Sequence, residues 1–536
     1  MIRVLKEPLL LATLLLVFWG LGFFVLYPMV SVLTYPGVQD FLSVPKNPRY
    51  LRAIYNTFVM VILSTSSAII IGFLFAYTFT RTNVPLKKCF RIISLLPLFS
   101  PPFMISFSYI LMFGRNGLIS YTLLGQRFDI IGWHGLWLSE TVAFFPLAAL
   151  IMEGVLQSIP PSLEYAGRNL GATGLKLFRT VTLPLARPGV AGAALLVAIY
   201  VLADFGNPIM IAGSFTVLPT EAWARVSGWG DVTGAAVLTS ILLMPAFLFF
   251  LFQRYWVGKR QYTTITGKVT LMDILPTKWY LRWALFIFCA IFSLLILCIF
   301  FGLIAGAFTK GWGFDYTPTL KHWQHVFSYS RPLTNSLYFA LIAALVSSSF
   351  AMVSAYLVSR KKFIARRALD FAAILPAAIP GVFFGIGYSL SFNTPPFDLY
   401  GTSLIIILSM IFWNIPIGYQ TAYGGFQQIA SSLGEAASNL GAGSLRIFWD
   451  IELPLLKSAY ISAFIVSYIR AVTTLSVIIF LVTSTNIVAT FQILNLVNDG
   501  FIGQGAALTT ALLFLTFLIL GCARFLFGRR IELFRI

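Results

Sequence analysis

The sequence predicts an all-α polytopic membrane protein with about twelve transmembrane helices in two parallel six-helix repeats. Hydrophobic residues make up 58% of the 536 residues and charged residues only 10%, with a mean hydropathy of +0.87. Soluble domains carry about 25% charged residues. Apolar runs long enough to cross a bilayer recur along the chain. Residues of the first half reappear in the second at constant offsets.

Each apolar run of about 20 residues predicts one membrane-spanning helix. The predicted spans are 9–33, 56–79, 92–113, 136–158, 189–212, 234–253, 284–308, 335–359, 369–392, 403–428, 458–483 and 504–526. The first run is longer than the apolar core of a signal peptide, and we expect it to be a retained span.

The distribution of basic residues predicts the orientation. Of the 37 Lys and Arg residues, 27 fall in the alternate segments that include the N-terminus, so those segments are expected in the cytoplasm. Both termini are then cytoplasmic. The opposite loops, to which we assign Glu140 and Glu221, are almost neutral. The net charge of +19 therefore reflects topology and anionic lipid rather than a nucleic-acid partner.

Two offsets describe an internal duplication. Asn56, Arg81, Pro97 and Pro101 recur as Asn335, Arg360, Pro376 and Pro380 at an offset of 279, and the later part of each half recurs at an offset of 270. The predicted domains are a first half at 1–253, a linker at 254–283 and a second half at 284–536. Six spans per half imply a pseudo-two-fold axis along the membrane normal and a central pathway.

A polar loop between apolar runs occurs in both halves, at 159–188 and 429–457. The second copy reads Glu435-Ala436-Ala437, then Gly441, then Leu453-Pro454. This pattern resembles the EAA loop of ABC importer permeases. The resemblance implies a type I ABC importer transmembrane fold and a short helix in each loop that docks on an ATP-binding subunit.

The residues that the resemblance assigns to ATPase coupling are Glu164, Ala166, Gly167, Gly171, Glu435, Ala436, Ala437 and Gly441. The first copy departs from the pattern, because Tyr165-Ala166-Gly167 stands where Glu-Ala-Ala is expected and Glu164 comes one residue early. It stays open at this point whether Glu164 takes the acidic role and whether the two docking sites are equivalent.

The chain has no phosphate-binding loop, because Gly258-Lys259 and Gly267-Lys268 each lack the upstream glycine and the following Ser or Thr. We therefore expect no cofactor on this chain, with ATP and Mg bound by a separate subunit. The resemblance implies two copies of that ATPase and a substrate-binding protein on the outer face. Catalytic residues and a metal site are not indicated, since no Ser-His-Asp set, HExxH motif or CxxC pair is present.

Charges and breaks inside spans are candidates for the transport pathway. We assign to it Asp204, Asn207, Arg470, Pro97, Pro101, Pro376 and Pro380. Asp204 and Arg470 come from different halves and could face one another. The alternatives are a structural ion pair or a helix end for the charges, and packing kinks for the prolines. His322 and His325 have a spacing that could hold metal, but an outer segment that seats the binding protein is preferred.

The fused layout and the stretch Ala203-Asp204-Phe205-Gly206-Asn207-Pro208 resemble the ferric-iron branch of binding-protein-dependent importers. This resemblance implies a permease of the bacterial inner membrane that carries ferric iron. Thiamine, phosphonate or another phosphorylated small molecule is the alternative cargo. A secondary transporter, which can also have two six-span repeats, is the alternative of another class.

Overall fold

The computed structural model describes residues 7–257 and 277–527. Most of the predicted linker 254–283 lies outside these residues. The α-helices are Pro8–Leu21, Tyr27–Thr34, Val38–Ser43, Pro48–Arg81, Lys87–Leu95, Pro102–Phe113, Trp133–Ser158, Pro161–Asn169, Leu175–Leu177, Leu183–Leu202, Gly206–Ile211, Leu218–Trp229, Val232–Phe252, Trp279–Phe308, Lys321–Ser328, Arg331–Arg360, Arg366–Ile374, Gly381–Ser391, Ser403–Gln428, Ser431–Asn439, Ser444–Ile447, Leu453–Leu455, Lys457–Thr473, Ala489–Asn498 and Ile502–Phe527. One antiparallel hairpin joins β1 (Thr309–Gly311) and β2 (Asp315–Pro318).

Nine helical stretches in the described part of the chain are long and apolar enough to cross a membrane, and three bent pairs raise the number to twelve. The all-α polytopic fold and the predicted span count are thus confirmed. Two of the bent pairs are the predicted third and ninth spans, whose halves meet at 109° in each case. The other joins Ser444–Leu455, at the end of the second polar loop, to Lys457–Thr473 at 76°, and the helix of the predicted eleventh span 458–483 therefore ends at Thr473. These spans are not single straight helices, contrary to the simplest interpretation of an apolar run.

Prolines account for two of the bends. A 3₁₀ turn at Leu96–Phe99 ends the first part of span three, and Pro102 begins the second part. Span nine repeats this with a 3₁₀ turn at Leu375–Ala378 and Pro380 before the helix Gly381–Ser391. Proline cannot donate an intrahelical hydrogen bond and clashes with the preceding turn, so a helix restarts at it rather than passing through it. The predicted breaks are confirmed.

The duplication is visible in the hydrogen bonds as well as in the sequence. Asn56 donates from Nδ2 to the Thr216 carbonyl at 2.8 Å, and Asn335 donates to the Ile487 carbonyl at 2.8 Å. One residue further on, the Thr57 hydroxyl accepts from the Leu218 amide. The hydroxyl of Ser336, its counterpart at offset 279, accepts from the Ala489 amide. Each half therefore anchors its second span to the segment before its last span by the same pair of contacts.

The compact units of the structure do not coincide with the sequence halves. One unit takes the described residues of Met1–Lys46, Glu221–Leu243 and Trp323–Phe534, and the other takes those of Asn47–Thr220 and Met244–His322. In the first, the Tyr388 hydroxyl donates to the Phe24 carbonyl at 2.9 Å. In the second, the Trp312 indole donates to the Leu111 carbonyl at 2.9 Å. Each unit thus includes the opening span of the opposite half, so the duplicated segments exchange their first helices.

Candidate functional site

Both predicted coupling loops contain a nine-residue helix of the same shape, Pro161–Asn169 and Ser431–Asn439. Each is followed by a short helical turn and then by a π-helical turn, Phe178–Thr182 or Phe448–Glu452. Wide turns of this kind are rare and concentrate at functional sites. Their recurrence at the same offset indicates that the fold of the whole loop is retained, although only some of its residues are identical.

The repeated glycine of the loop ends each helix. Gly171 has φ +84° and Gly441 has φ +86°, a left-handed conformation that other residues rarely adopt. The chain then closes back on the helix, since the Ala172 amide donates to the Gly167 carbonyl and the Ala442 amide to the Ala437 carbonyl, at 2.9 and 3.0 Å. Gly at this position is therefore explained by helix termination.

Leucines of each loop are exposed at matching positions. Leu170 and Leu440, which follow the two helices directly, keep 87% and 90% of their surface exposed. Leu163 and Leu175 in the first loop, and their counterparts Leu433 and Leu445, are exposed as well. Exposed apolar side chains that recur in two polar loops of one chain are typical of a surface that another protein covers. These leucines lie within the repeated motif, but their exposure is not recognisable from the sequence.

The small residues of the loops have more than one role. Ala166 and Ala436 are exposed, so they leave room for an approaching surface. Gly167 instead packs inward, because a Cβ there would lie 2.8 Å from Leu177 Cδ1. Ala437, its counterpart, is half-buried. Smallness at this position therefore serves packing within the loop, at least in the first copy.

The acids of the two loops differ in environment. Glu435 is exposed on its helix. Glu164 is buried, and its Oε1 accepts from Arg81 Nε at 3.0 Å and from the Thr182 hydroxyl at 3.0 Å. The Arg81 Nη2 also donates to the carbonyls of Leu156 and Ile159 at 2.8 and 2.9 Å. The carboxylate of Glu164 therefore faces the membrane spans and not the exposed side of the loop.

The second half contains the same arginine with a different acid. Arg360 Nε donates to Glu452 Oε1 at 2.8 Å, and its Nη2 donates to the Ile429 carbonyl at 3.0 Å. Glu452 belongs to the π-helical turn after the coupling helix and is only 3% exposed. Arg81 and Arg360 recur at an offset of 279. This recurrence indicates the duplication, and it is also the sequence signal that could have identified the two arginines as site residues.

Asp204 lies in a helix break and not inside a continuous span. The preceding helix ends at Leu202, and Asp204 accepts from the Gly206 amide at 3.0 Å and from Asn207 Nδ2 at 2.8 Å. Asn207 in turn accepts from the Ser106 hydroxyl at 2.7 Å. The predicted pathway residues Asp204 and Asn207 are thus adjacent in a buried polar network. The helix of the predicted span 189–212 ends at Leu202 and a new short helix begins at Gly206, which is the helix end that the sequence offered as an alternative for Asp204.

The assignment of Glu140 to an outer loop is also wrong. Glu140 is 1% exposed within the helix Trp133–Ser158, where its Oε2 accepts from the Ser64 hydroxyl at 2.6 Å. Glu153 is buried in the same helix and pairs with Arg91 at 3.0 Å. Glu221, likewise assigned outside, has no exposed surface and pairs with Arg225. The apolar residues around Glu140 and Glu153 predict the fourth span, but they do not reveal that these two acids are buried within it.

Arg470 lies inside a helix, as predicted, near the end of Lys457–Thr473. Its guanidinium carbon is 4.7 Å from the ring centroid of Trp413, an arrangement that stabilises a cation away from water. Trp413 donates from its indole to the Ile379 carbonyl, next to the break in span nine. Asp204 and Arg470 therefore each have contacts within their own unit. That they face each other across a pathway stays a prediction.

His322 and His325 contact neighbouring protein groups, a backbone carbonyl and an aromatic ring. His322 Nε2 lies 2.9 Å from the Thr309 carbonyl, and the ring of His325 packs against Tyr329. Within the described residues, no group of three or more His, Cys, Asp or Glu side chains is placed to hold a metal ion. Hydrogen bonds from the Thr317 hydroxyl and the Lys310 ammonium lower the pKa of Asp315 to about 2, so this carboxylate is charged at neutral pH.

Comparison with known proteins gives two matches to one family. The sequence profile of the binding-protein-dependent transport system inner membrane component matches residues 68–262 and again residues 347–531. Ferric transport system permease protein FbpB of Actinobacillus pleuropneumoniae is 34% identical over 517 residues, 93% of this chain and 75% of that protein. Putative ferric transport system permease protein FbpB 1 of Haemophilus influenzae is 32% identical, over 89% of this chain and 79% of that protein.

Some similar proteins match only part of this chain. The molybdenum transport system permease protein ModB of Escherichia coli is 30% identical over 35% of this chain and 84% of that protein. A crystal structure of a bacterial alginate ABC transporter, in complex with an alginate pentasaccharide-bound periplasmic protein, aligns with a TM-score of 0.43 at 18% identity. It covers 49% of this chain and 98% of that one.

Proposed function

Since this chain belongs to the family of binding-protein-dependent transport system inner membrane components, we propose that it passes ferric iron through the membrane as the permease subunit of an ABC importer. It is a multi-pass inner-membrane protein and a transport subunit rather than an enzyme, as its relatives are. The family match in both halves favours this class over a secondary transporter. A binding protein delivers the cargo in this family.

The proposed coupling sites rest on one observation: each half exposes leucines at matching positions in a loop with a helix of the same length. Leu170 and Leu440 are almost fully exposed, and Glu435 is exposed on the helix that precedes Leu440. These surfaces are proposed to dock two copies of an ATP-binding subunit. Glu435 is the exposed acid of the second site, while Tyr165 takes its place in the first. The two docking sites are therefore proposed to be non-equivalent.

Replacing Glu435 tests the docking surface. We expect Glu435→Lys to reduce recovery of the ATP-binding subunit when the complex is purified from native membranes, because it reverses charge at the contact and leaves the spans unchanged. A loss of roughly 1–3 kcal/mol, or about 5- to 150-fold in affinity, is typical of a disrupted charged contact at an interface. The subunit is quantified by mass spectrometry against wild type.

The matched control is Asp499→Lys, the same charge reversal at an exposed acid in a loop predicted on the opposite side of the membrane. It should leave recovery of the ATP-binding subunit unchanged. Equal recovery with Glu435→Lys and wild type would contradict the assignment of Glu435 to the docking surface.

Ferric iron as the cargo is supported by the names of the two relatives that match most of the chain. Uptake of labelled ferric iron into proteoliposomes with the binding protein and ATP tests it. Transport of iron that requires ATP supports the proposal. ATP-dependent transport of thiamine or a phosphonate in place of iron would keep the importer and change the cargo.

The pathway residues remain a proposal. Asp204, Asn207 and Arg470 are buried or half-buried polar groups at or near helix breaks, where backbone freed from regular hydrogen bonds needs polar neighbours. Pro97, Pro101, Pro376 and Pro380 produce or border two further breaks, in spans three and nine. Such breaks are where membrane transporters commonly form passages, which supports placing the pathway there.

A further inference from the structure

We propose that each coupling loop is joined to the ends of the second and fourth spans of its half by a buried arginine–carboxylate latch, and that the latch transmits ATPase movement to those spans. The latch is Arg81 with Glu164 in the first half and Arg360 with Glu452 in the second. The inference rests on the proposed function, because it concerns how the coupling helices act once an ATPase is docked.

The geometry of each latch ties three elements together. Arg81 is the last residue of the helix Pro48–Arg81, and its guanidinium reaches the carbonyls of Leu156 and Ile159 at the end of the fourth span. The same guanidinium holds Glu164 on the coupling helix. The two side chains are only 12% and 10% exposed. A pair with so little contact with water is screened far less than a surface pair.

The second latch uses the same arginine position and the same carbonyl. Arg360 ends the helix Arg331–Arg360 and donates to the carbonyl of Ile429, the counterpart of Ile159 at offset 270. Its ion pair with Glu452 is 14% and 4% exposed on the two sides. The binding geometry around the arginine is therefore retained in both copies.

The carboxylate has changed its place in the sequence between the copies. Glu164 corresponds to Gly434 at offset 270, and Thr182 corresponds to Glu452. In the first half the acid comes from the coupling helix and Thr182 donates to it. In the second half the acid comes from the Thr182 position, and the ideal Cβ of Gly434 would lie 3.7 Å from Glu452 Oε1.

This exchange argues that the ion pair itself matters. A charge buried without a partner is costly, so losing one acid would leave its arginine unpaired. The carboxylate comes from the position of Glu164 in the first half and from that of Glu452 in the second, yet it pairs with the same arginine position. Duplication of the sequence alone does not explain this, because it would keep the acid at one position. Glu452 Oε2 has no hydrogen-bond partner among the described residues, so the contact with Arg360 is made through Oε1.

The test moves the acid within the first half. Glu164→Gln removes the charge, and the double variant Glu164→Gly/Thr182→Glu copies the arrangement of the second half. Labelled ferric iron transported per ATP hydrolysed is measured in proteoliposomes with the ATPase and the binding protein. For Glu164→Gln we expect this ratio to fall by about 2- to 30-fold, the range for mutations along a coupling network. We expect the double variant to recover it.

The control is Asp129→Asn, which removes an exposed acid, outside both coupling loops, that pairs with Arg115. It should keep the wild-type ratio. A wild-type ratio in Glu164→Gln, or a double variant as impaired as Glu164→Gln, would overturn the latch. A purely structural ion pair would lower thermal stability or assembly and leave the ratio of the assembled complex unchanged, which also overturns it.

If Glu164→Gln does not assemble, the double variant decides alone: recovery of assembly and ratio supports the latch, and failure of both overturns it. The wild-type complex is measured first. Absence of ATP-dependent uptake there would contradict the proposed function, whereas an effect confined to the variants concerns only the latch.

Discussion

At the scale of single residues, the positions that matter here are polar groups removed from water in an apolar chain. Asp204 accepts hydrogen bonds from Asn207 and from the backbone of a new helix, and Glu140 accepts from Ser64. A carboxylate in such a place is retained only where partners compensate for its lost hydration. Asp204 was recognisable from sequence because a Gly and a Pro follow it closely. Glu140 was not, because no breaker accompanies it.

Replacing Asp204 with Asn tests whether the network participates in transport. The side chain keeps its shape, but it loses the charged carboxylate that accepts hydrogen bonds from the Asn207 side chain and the Gly206 N–H. A hydrogen bond to a charged acceptor contributes about 1.5–3 kcal/mol. We expect altered transport-coupled ATP hydrolysis with the ATP-binding subunit still assembled, measured in the reconstituted complex. Asp129→Asn, at an exposed loop acid, is the control. Wild-type transport by Asp204→Asn would make Asp204 structural.

At the scale of elements, the coupling loops show how a retained fold tolerates changed residues. The helix length, the left-handed glycine and the π-helical turn recur in both copies. The arginine that supports them recurs as well, but the acid that pairs with it comes from a different position in each copy. The backbone pattern is set by local requirements such as helix termination, which sequence reasoning can recognise. Which acid meets the arginine depends on a contact between residues 83 apart in one half and 92 apart in the other.

Two glycines of the second loop give a matched test of this local requirement. Gly434 lies inside the helix, with its nearest neighbours 3.7 Å from an added Cβ, so Gly434→Ala should stabilise by about 0.5–1 kcal/mol. Gly441 has φ +86° and open space around it, so Gly441→Ala should destabilise by about 1–2 kcal/mol through backbone strain alone. Thermal unfolding of the purified chain should shift in opposite directions. Shifts of the same sign would contradict this account.

At the scale of the whole molecule, sequence halves and packing units differ. The duplication divides the chain near its middle, yet the first span packs with residues of the second half, as the Tyr388–Phe24 contact illustrates. The opening span of the second half packs with the first, through Trp312 and Leu111. Each packing unit therefore contains spans from both halves of the sequence. Apolar runs cannot reveal this exchange, because all apolar helices satisfy the bilayer equally well.

The orientation of the termini is a whole-molecule prediction. Because most Lys and Arg residues lie in one set of alternate segments, we expect both termini in the cytoplasm. A fluorescent protein that folds only in the cytoplasm, attached after Ile536, should fluoresce. The same reporter inserted in 393–402, a segment predicted outside, should be dark. A dark C-terminal fusion together with a fluorescent insertion would contradict the predicted orientation and place the C-terminus outside the cytoplasm.

The sequence by itself determined the membrane-spanning class, the apolar runs that form the spans, the two-fold repeat and the place of the two repeated polar loops. Each of these depends on local properties: apolar length, periodic recurrence, helix breakers and the turn chemistry of glycine. Tertiary structure alone decided that Glu164 faces Arg81, that Glu452 replaces it in the second half, that Glu140 is buried and that the first helices are exchanged. These depend on which distant segments meet. In an apolar chain, buried polar contacts specify which segments pair with each other. The hydrophobic pattern does not, because any two apolar helices can pack together.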